Sequence, residues 1–185
     1  MKSKNRISVI VYNAMFSVAS IILAFIGNLA IFPVFPFLKA DLSDAPAFLA
    51  ALISGASSGI TVLMTVSIIR TFLFSASGFI GFVIRSTSIF VVLGMSIFGN
   101  KKIPFLKRLT ILCLSVLICI TLKLYLNNFF WINFFFISKE VIDSLMYVVV
   151  IPYNTVKILT NILLAIFTKK FIDKCLKNKN INQES

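Results

Sequence analysis

The sequence predicts an all-α integral membrane protein of six transmembrane helices with both termini on the cytoplasmic side. Three observations carry this. Of 185 residues, 59% are hydrophobic and 13% charged, with a mean hydropathy of +1.01, far from the balance of a soluble domain. The apolar runs approach the roughly 20 residues that cross a bilayer. The basic residues gather in three clusters: Lys2, Lys4 and Arg6; Lys101, Lys102, Lys107 and Arg108; and Lys169, Lys170, Lys174, Lys177 and Lys179. Six crossings put all three on one side, where the positive-inside rule expects them. The length accommodates one membrane domain, residues 1–185, and no separate soluble one.

The first span covers about 7–32 and is stopped by Pro33 and Pro36, which cannot continue a helix. Its basic start resembles a signal peptide, but the uncharged run is too long for an h-region and lacks a convincing cleavage site, so it is expected to stay as a helix. A loop with Asp41 and Asp44 leads to a short second span, 46–58, the least regular of the six and a candidate for partial re-entry. It ends in SGASSG, residues 54–59, small enough to turn the chain or let helices approach closely. The third span, 59–74, and the fourth, 79–98, are joined by SASG. The fifth, 109–127, gives way to the aromatic NNFFWINFFF, suited to the headgroup boundary. The sixth covers 144–168.

The net charge of +12 does not point to nucleic acid, because the basic residues lie beside apolar runs and form no basic face with interleaved aromatics. Cys113, Cys119 and Cys175 have no CxxC spacing and the chain has no histidine, so no metal site is expected. With no acid inside a span and no nucleophile paired with a base, no catalytic constellation is legible.

Four ionisable residues fall within spans: Arg70, Arg85, Lys123 and Lys157. Each costs roughly 2.5–3.5 kcal/mol on insertion scales and is a functional candidate for that reason. Their nearest counter-charges in sequence are Asp41, Asp44, Glu140 and Asp143. In the last span Tyr147, Asn154, Lys157 and Asn161 share one helical face; in the fifth, Lys123 and Asn127 stand four apart; in the fourth, Gly81, Arg85 and Ser88 share a face. Two readings stay open. The groups tie helices together or snorkel, or they line a cavity in the outer half, covered by the Pro-rich loop and suited to a flat heteroaromatic molecule. On span one, Ser17, Ser20, Ala24 and Gly27 form a smooth strip for close helix approach, either inside the bundle or against a partner subunit.

The stretch LKADLSDAPAFLAALISGASSG, residues 38–59, resembles the riboflavin-specific (RibU-like) S components of energy-coupling factor (ECF) transporters. Their Asp-x-Ser-Asp-x-Pro-Ala pattern matches Asp41, Ser43, Asp44, Pro46 and Ala47. A second match is IPYNTVK, residues 151–157, similar to the family's Pro-Phe-Asn-x-x-Lys. The resemblance implies an S-component-like bundle in a bacterial cell membrane that captures a flavin from outside, with no resident cofactor. It implies partnership with a transmembrane coupling subunit and two ATPases, since this chain has no P-loop. It also implies flavin contacts from Asn154, Lys157 and either Asn127 or Asn128. The candidate ligand set is completed by Asp44, Arg70, Arg85 and Tyr147.

Several positions depart from the family pattern. Arg70-Thr71 stands where Lys-Asn is usual, Phe82 and Arg85 stand near the usual Glu and Asn, and Gly55-Ala56 replaces Gly-Pro. One acid is lost and one cation gained, which favours an anionic ligand such as FMN beside or instead of riboflavin. The rival readings are an S component for another vitamin and a non-transport scaffold of the MreD type, which would need neither Asn154 nor Lys157.

Overall fold

The computed structural model describes residues 2–27, 41–73, 78–134 and 150–181. All of its described regular structure is helical: α1 (Lys2–Gly27), α2 (Ala45–Ser54), α3 (Ala56–Leu73), α4 (Gly78–Ser86), α5 (Ile89–Gly99), α6 (Phe105–Phe134) and α7 (Ile151–Ile181). Counting α4 and α5 as one interrupted rod gives six helical passages. Among the described residues, four stretches are long and apolar enough to cross a membrane: Ile7–Ile26, Ala56–Leu73, Gly78–Gly99 and Phe105–Phe130. Large apolar side chains point outward from them, among them Ile10, Phe25, Phe72 and Phe79. An exposed apolar coat with polar groups turned inward suits lipid as the surrounding solvent.

Helix α2 is the centre of the bundle. It starts after Asp44 with Pro46 in its first turn, where a missing N–H costs nothing. All residues from Ala45 to Leu52 are buried, the mark of an interior helix. It packs against α1, α3, α5 and α7. At 1.5 Å per residue its ten residues reach about 15 Å, half of a hydrocarbon core. The expected crossing over 46–58 is therefore a half-length helix, and α3 begins at Ala56 rather than at 59.

Within SGASSG the two expected jobs fall to different glycines. Gly55 adopts φ 93° between α2 and α3, a left-handed conformation that glycine takes without strain. Gly59 lies where a Cβ would come within 2.6 Å of Val92 Cγ1 and 2.7 Å of Ala51 Cβ, so α2, α3 and α5 meet there. Between apolar helices in lipid such close packing is a principal source of cohesion. The core around it includes Phe48, Val62, Leu63, Val66, Val91, Val92 and Met95.

Other boundaries differ from the hydropathy reading for physical reasons. The passage expected as one span over 79–98 is interrupted at Thr87-Ser88. Ser86 Oγ donates to Phe82 O (2.9 Å) and Thr87 Oγ1 to Ile84 O (2.7 Å); such back-bonding bends helices and is invisible to an apolar count. Helix α6 runs from Phe105 to Phe134, beyond the expected 109–127, so NNFFW continues the helix. Helix α7 continues past 168 to Ile181 through the basic residues.

Candidate functional site

Residues 41–44 enter the bundle as a buried loop and gather polar groups from α1, α3, α4 and α7. The local turn comes from the sequence Asp-Leu-Ser-Asp. The Ser43 N–H donates to Asp41 Oδ1 (3.1 Å), Ser43 Oγ donates to the same oxygen, and the Ala45 N–H donates to Leu42 O (3.2 Å). An aspartate closing a turn on the backbone two residues on is a common local device. From α1, Ser20 Oγ donates to Ser43 O. From α7, Asn161 Nδ2 donates to Asp41 O (2.9 Å).

The carboxylates meet three cations. Asp41 Oδ2 accepts from Arg70 Nη1 at 2.8 Å and Lys157 Nζ at 2.9 Å, with Arg85 Nη1 at 3.7 Å. Asp44 Oδ1 accepts from Arg85 Nη2 at 2.5 Å. Both guanidinium groups also donate to Ser43 Oγ. Burial alone would push the Asp41 carboxyl upward, but Lys157, Arg85 and Arg70 outweigh it and hold the group well below the usual carboxylate range. The loop is thus fixed by charge-assisted bonds, the strong class of hydrogen bond.

Lys123 of α6 is 3% exposed, and among the described residues no carboxylate lies within ion-pair distance of it. Among the described residues, four cations and two carboxylates therefore share this part of the bundle, a formal surplus of two positive charges within that set. Several polar atoms here are buried without a partner among the described residues: Arg85 Nε, Asn128 Oδ1 and Asn161 Oδ1. Unsatisfied buried groups are few in native proteins and often mark a place for a bound molecule.

The expected ligand contacts take up different positions. Lys157, Arg70, Arg85 and Asp44 converge in the cluster. Asn154 Nδ2 donates to Val150 O (2.9 Å) and Asn127 Nδ2 to Lys123 O (2.8 Å), each back to its own helix. Tyr147, the Pro-rich cover, Glu140 and Asp143 lie outside the described residues. Of the four acids nearest in sequence to the span cations, Asp41 and Asp44 pair with three of them, Arg70, Arg85 and Lys157. Of the two readings of the strip on α1, packing inside the bundle fits the described contacts. Ser17, Ser20 and Ala24 are buried within the chain, and Ser20 grips the loop, so this strip serves internal packing; Gly27, its fourth member, ends α1.

Sequence reasoning missed two parts of the site. Ser43 belongs to the matched motif, but its place as a hub for two arginines depends on bringing α3 and α4 together. Asn161 lies on the legible polar face of α7; its reach to a backbone carbonyl 120 positions away has no sequence signal.

No family model matches the chain, and no curated protein matches it. Among solved structures it is similar to the S component of a bacterial ECF transporter, with a TM-score of 0.71 and 22% identity, covering 93% of this chain and 99% of the other. The likeness therefore extends over nearly all of both folds.

Proposed function

We propose that this chain is the substrate-binding membrane subunit of an ECF-type transporter and that it captures a flavin, with FMN favoured beside riboflavin. The observation that carries the reading is the buried 41–44 loop, held by three cations from α3, α4 and α7, in a fold that matches an S component along its length. The loop defines one wall of a polar site, with Asn154 and Lys157 of α7 and Asn127 and Asn128 of α6 as the ring contacts. The surplus positive charge supports an anionic group on the ligand. Under the positive-inside rule the loop end faces outside and the termini face the cytoplasm. Captured ligand is then released by movement against a coupling subunit powered by two ATPases.

Titration with riboflavin and with FMN, followed by quenching of flavin fluorescence, tests this. Asn154→Ala, whose only described partner is its own helix, is expected to weaken binding by about tenfold or more, the loss of one good hydrogen bond. Arg85→Asn is expected to weaken FMN more than riboflavin. A protein that quenches neither flavin would overturn the flavin reading and leave another vitamin or a scaffold role.

A further inference from the structure

At the opposite end of the bundle, α5, α6 and α7 surround an open hollow beside the end of α2. Its lining includes Phe98, Lys101, Arg108, Lys169, Lys170 and Asp173. Four cations and one carboxylate thus share it, and among the described residues the ion pairs all lie in the loop cluster instead. Two of these cations are held by helix ends. Lys169 Nζ donates to Leu52 O (3.1 Å) in the last turn of α2, and Arg108 Nη1 donates to Phe98 O (3.0 Å) in the last turn of α5.

Capping alone does not exhaust these groups. An ammonium has three donors and a guanidinium five, and each gives one to a carbonyl here. Arg108 Nε is buried with no partner among the described residues. The guanidinium is also positioned: it lies 5.8 Å from the Phe98 ring centre and 5.7 Å from that of Phe105, a geometry that supports and orients a cation. Phe105 and its neighbour Leu106 are themselves largely exposed. An oriented cation cluster therefore runs directly into an apolar outer wall.

We propose that this hollow is a phosphate-binding site occupied by the headgroup of an anionic phospholipid, with the acyl chains along the apolar wall beginning at Phe105. The juxtaposition selects an amphiphile: phosphate matches the donors of Arg108 and Lys169, Lys101 and Lys170 add attraction, and basic pockets between membrane helices bind such headgroups. Asp173 sets the limit on how much negative charge the site takes.

The test compares the thermal unfolding of the full chain in phosphatidylglycerol and in phosphatidylcholine nanodiscs. Phosphatidylglycerol is expected to raise Tm by about 2–4 °C, and Lys101→Gln/Lys170→Gln is expected to remove most of that rise. These two lysines hold no described structural contact, so the variant is expected to fold. Lys174→Gln/Lys177→Gln, which removes the same charge from the exposed tail of α7, is expected to keep the rise. Equal Tm in the two lipids would overturn the site, as would equal loss in the tail variant, which would mean diffuse surface attraction. An equal rise with inorganic phosphate in phosphatidylcholine would overturn the lipid assignment.

Discussion

The two ends of the bundle use the same residue types in opposite ways. Around residues 41–44, arginine and lysine from spanning helices close on carboxylates carried by a buried loop. At the hollow, Arg108 and Lys169 close on the carbonyls of helix ends. A charge inside a membrane protein must find a partner or a functional reason. The first end finds carboxylates and so fixes the loop. At the second, Arg108 and Lys169 meet helix-end dipoles, which favour cations at helix C-termini, and among the described residues neither forms an ion pair, although Asp173 shares the lining. The short α2 joins the two, with Asp44 at its start and Leu52 near its finish.

The sharpest way to break this contrast is to remove one acid from each end. Asp41→Asn takes the shared carboxylate from Arg70, Arg85 and Lys157 and leaves buried charges unpaired, which costs about 3–5 kcal/mol. A fall in Tm of roughly 6–20 °C is expected at this chain length. Asp173→Asn, exposed and without an ion pair among the described residues, is expected to stay within about 0.5 kcal/mol of the parent. Equal effects in a thermal melt would mean that the loop cluster is no more specific than a surface charge.

Helix α2 lets both ends be disturbed together. Gly59→Val drives a side chain into Val92 and Ala51, an overpacking expected to cost about 1–3 kcal/mol. Because α2 carries the loop at one end and the Lys169 contact at the other, both flavin quenching and the phosphatidylglycerol effect are expected to weaken. Loss of one with the other intact would show that the ends are mechanically independent.

The sequence made the passage count and the loop acids readable because each has a local signal. Apolar length marks a span, a basic cluster marks a side, and Asp41 and Asp44 were the acids nearest to the span cations. The sharing of Asp41 by three cations was not readable. It depends on Arg70 and Lys157 arriving from positions 29 and 116 residues away, which only the packed topology supplies. The break at Thr87-Ser88 was hidden because neither residue is a proline or glycine: Thr87 Oγ1 donates to Ile84 O and lies 3.8 Å from Cys119 Sγ, while Ser88 Oγ is buried with no partner among the described residues. The fate of the α1 strip was undecidable because small residues serve internal and external packing equally well.

Lys123 sharpens the contrast from within the loop end, as a buried cation that, like those of the hollow, has no ion pair among the described residues. Lys123→Met removes a charge whose desolvation is uncompensated while keeping most of the packing volume, so a stabilisation of about 1 kcal/mol is expected. The same variant is expected to lower FMN affinity more than riboflavin affinity. A destabilised variant with unchanged flavin selectivity would assign Lys123 to the bundle's structure instead.

The smallest expected effect concerns pH and follows from Asp41. Its carboxyl lies well below its ordinary value in the folded chain, with the three cations outweighing burial. A depressed folded value means that ionised Asp41 stabilises the fold in full above the unfolded value, about 3.9. That contribution declines only as pH falls below this value and through the lower folded one. Between pH 7 and 5 the Tm difference between the parent and Asp41→Asn is therefore expected to stay constant, and it should shrink only below about pH 4. A difference that already narrows from pH 7 to 5 would mean that the three cations do not hold the carboxylate, and the two ends of the bundle would then differ in geometry but not in electrostatics.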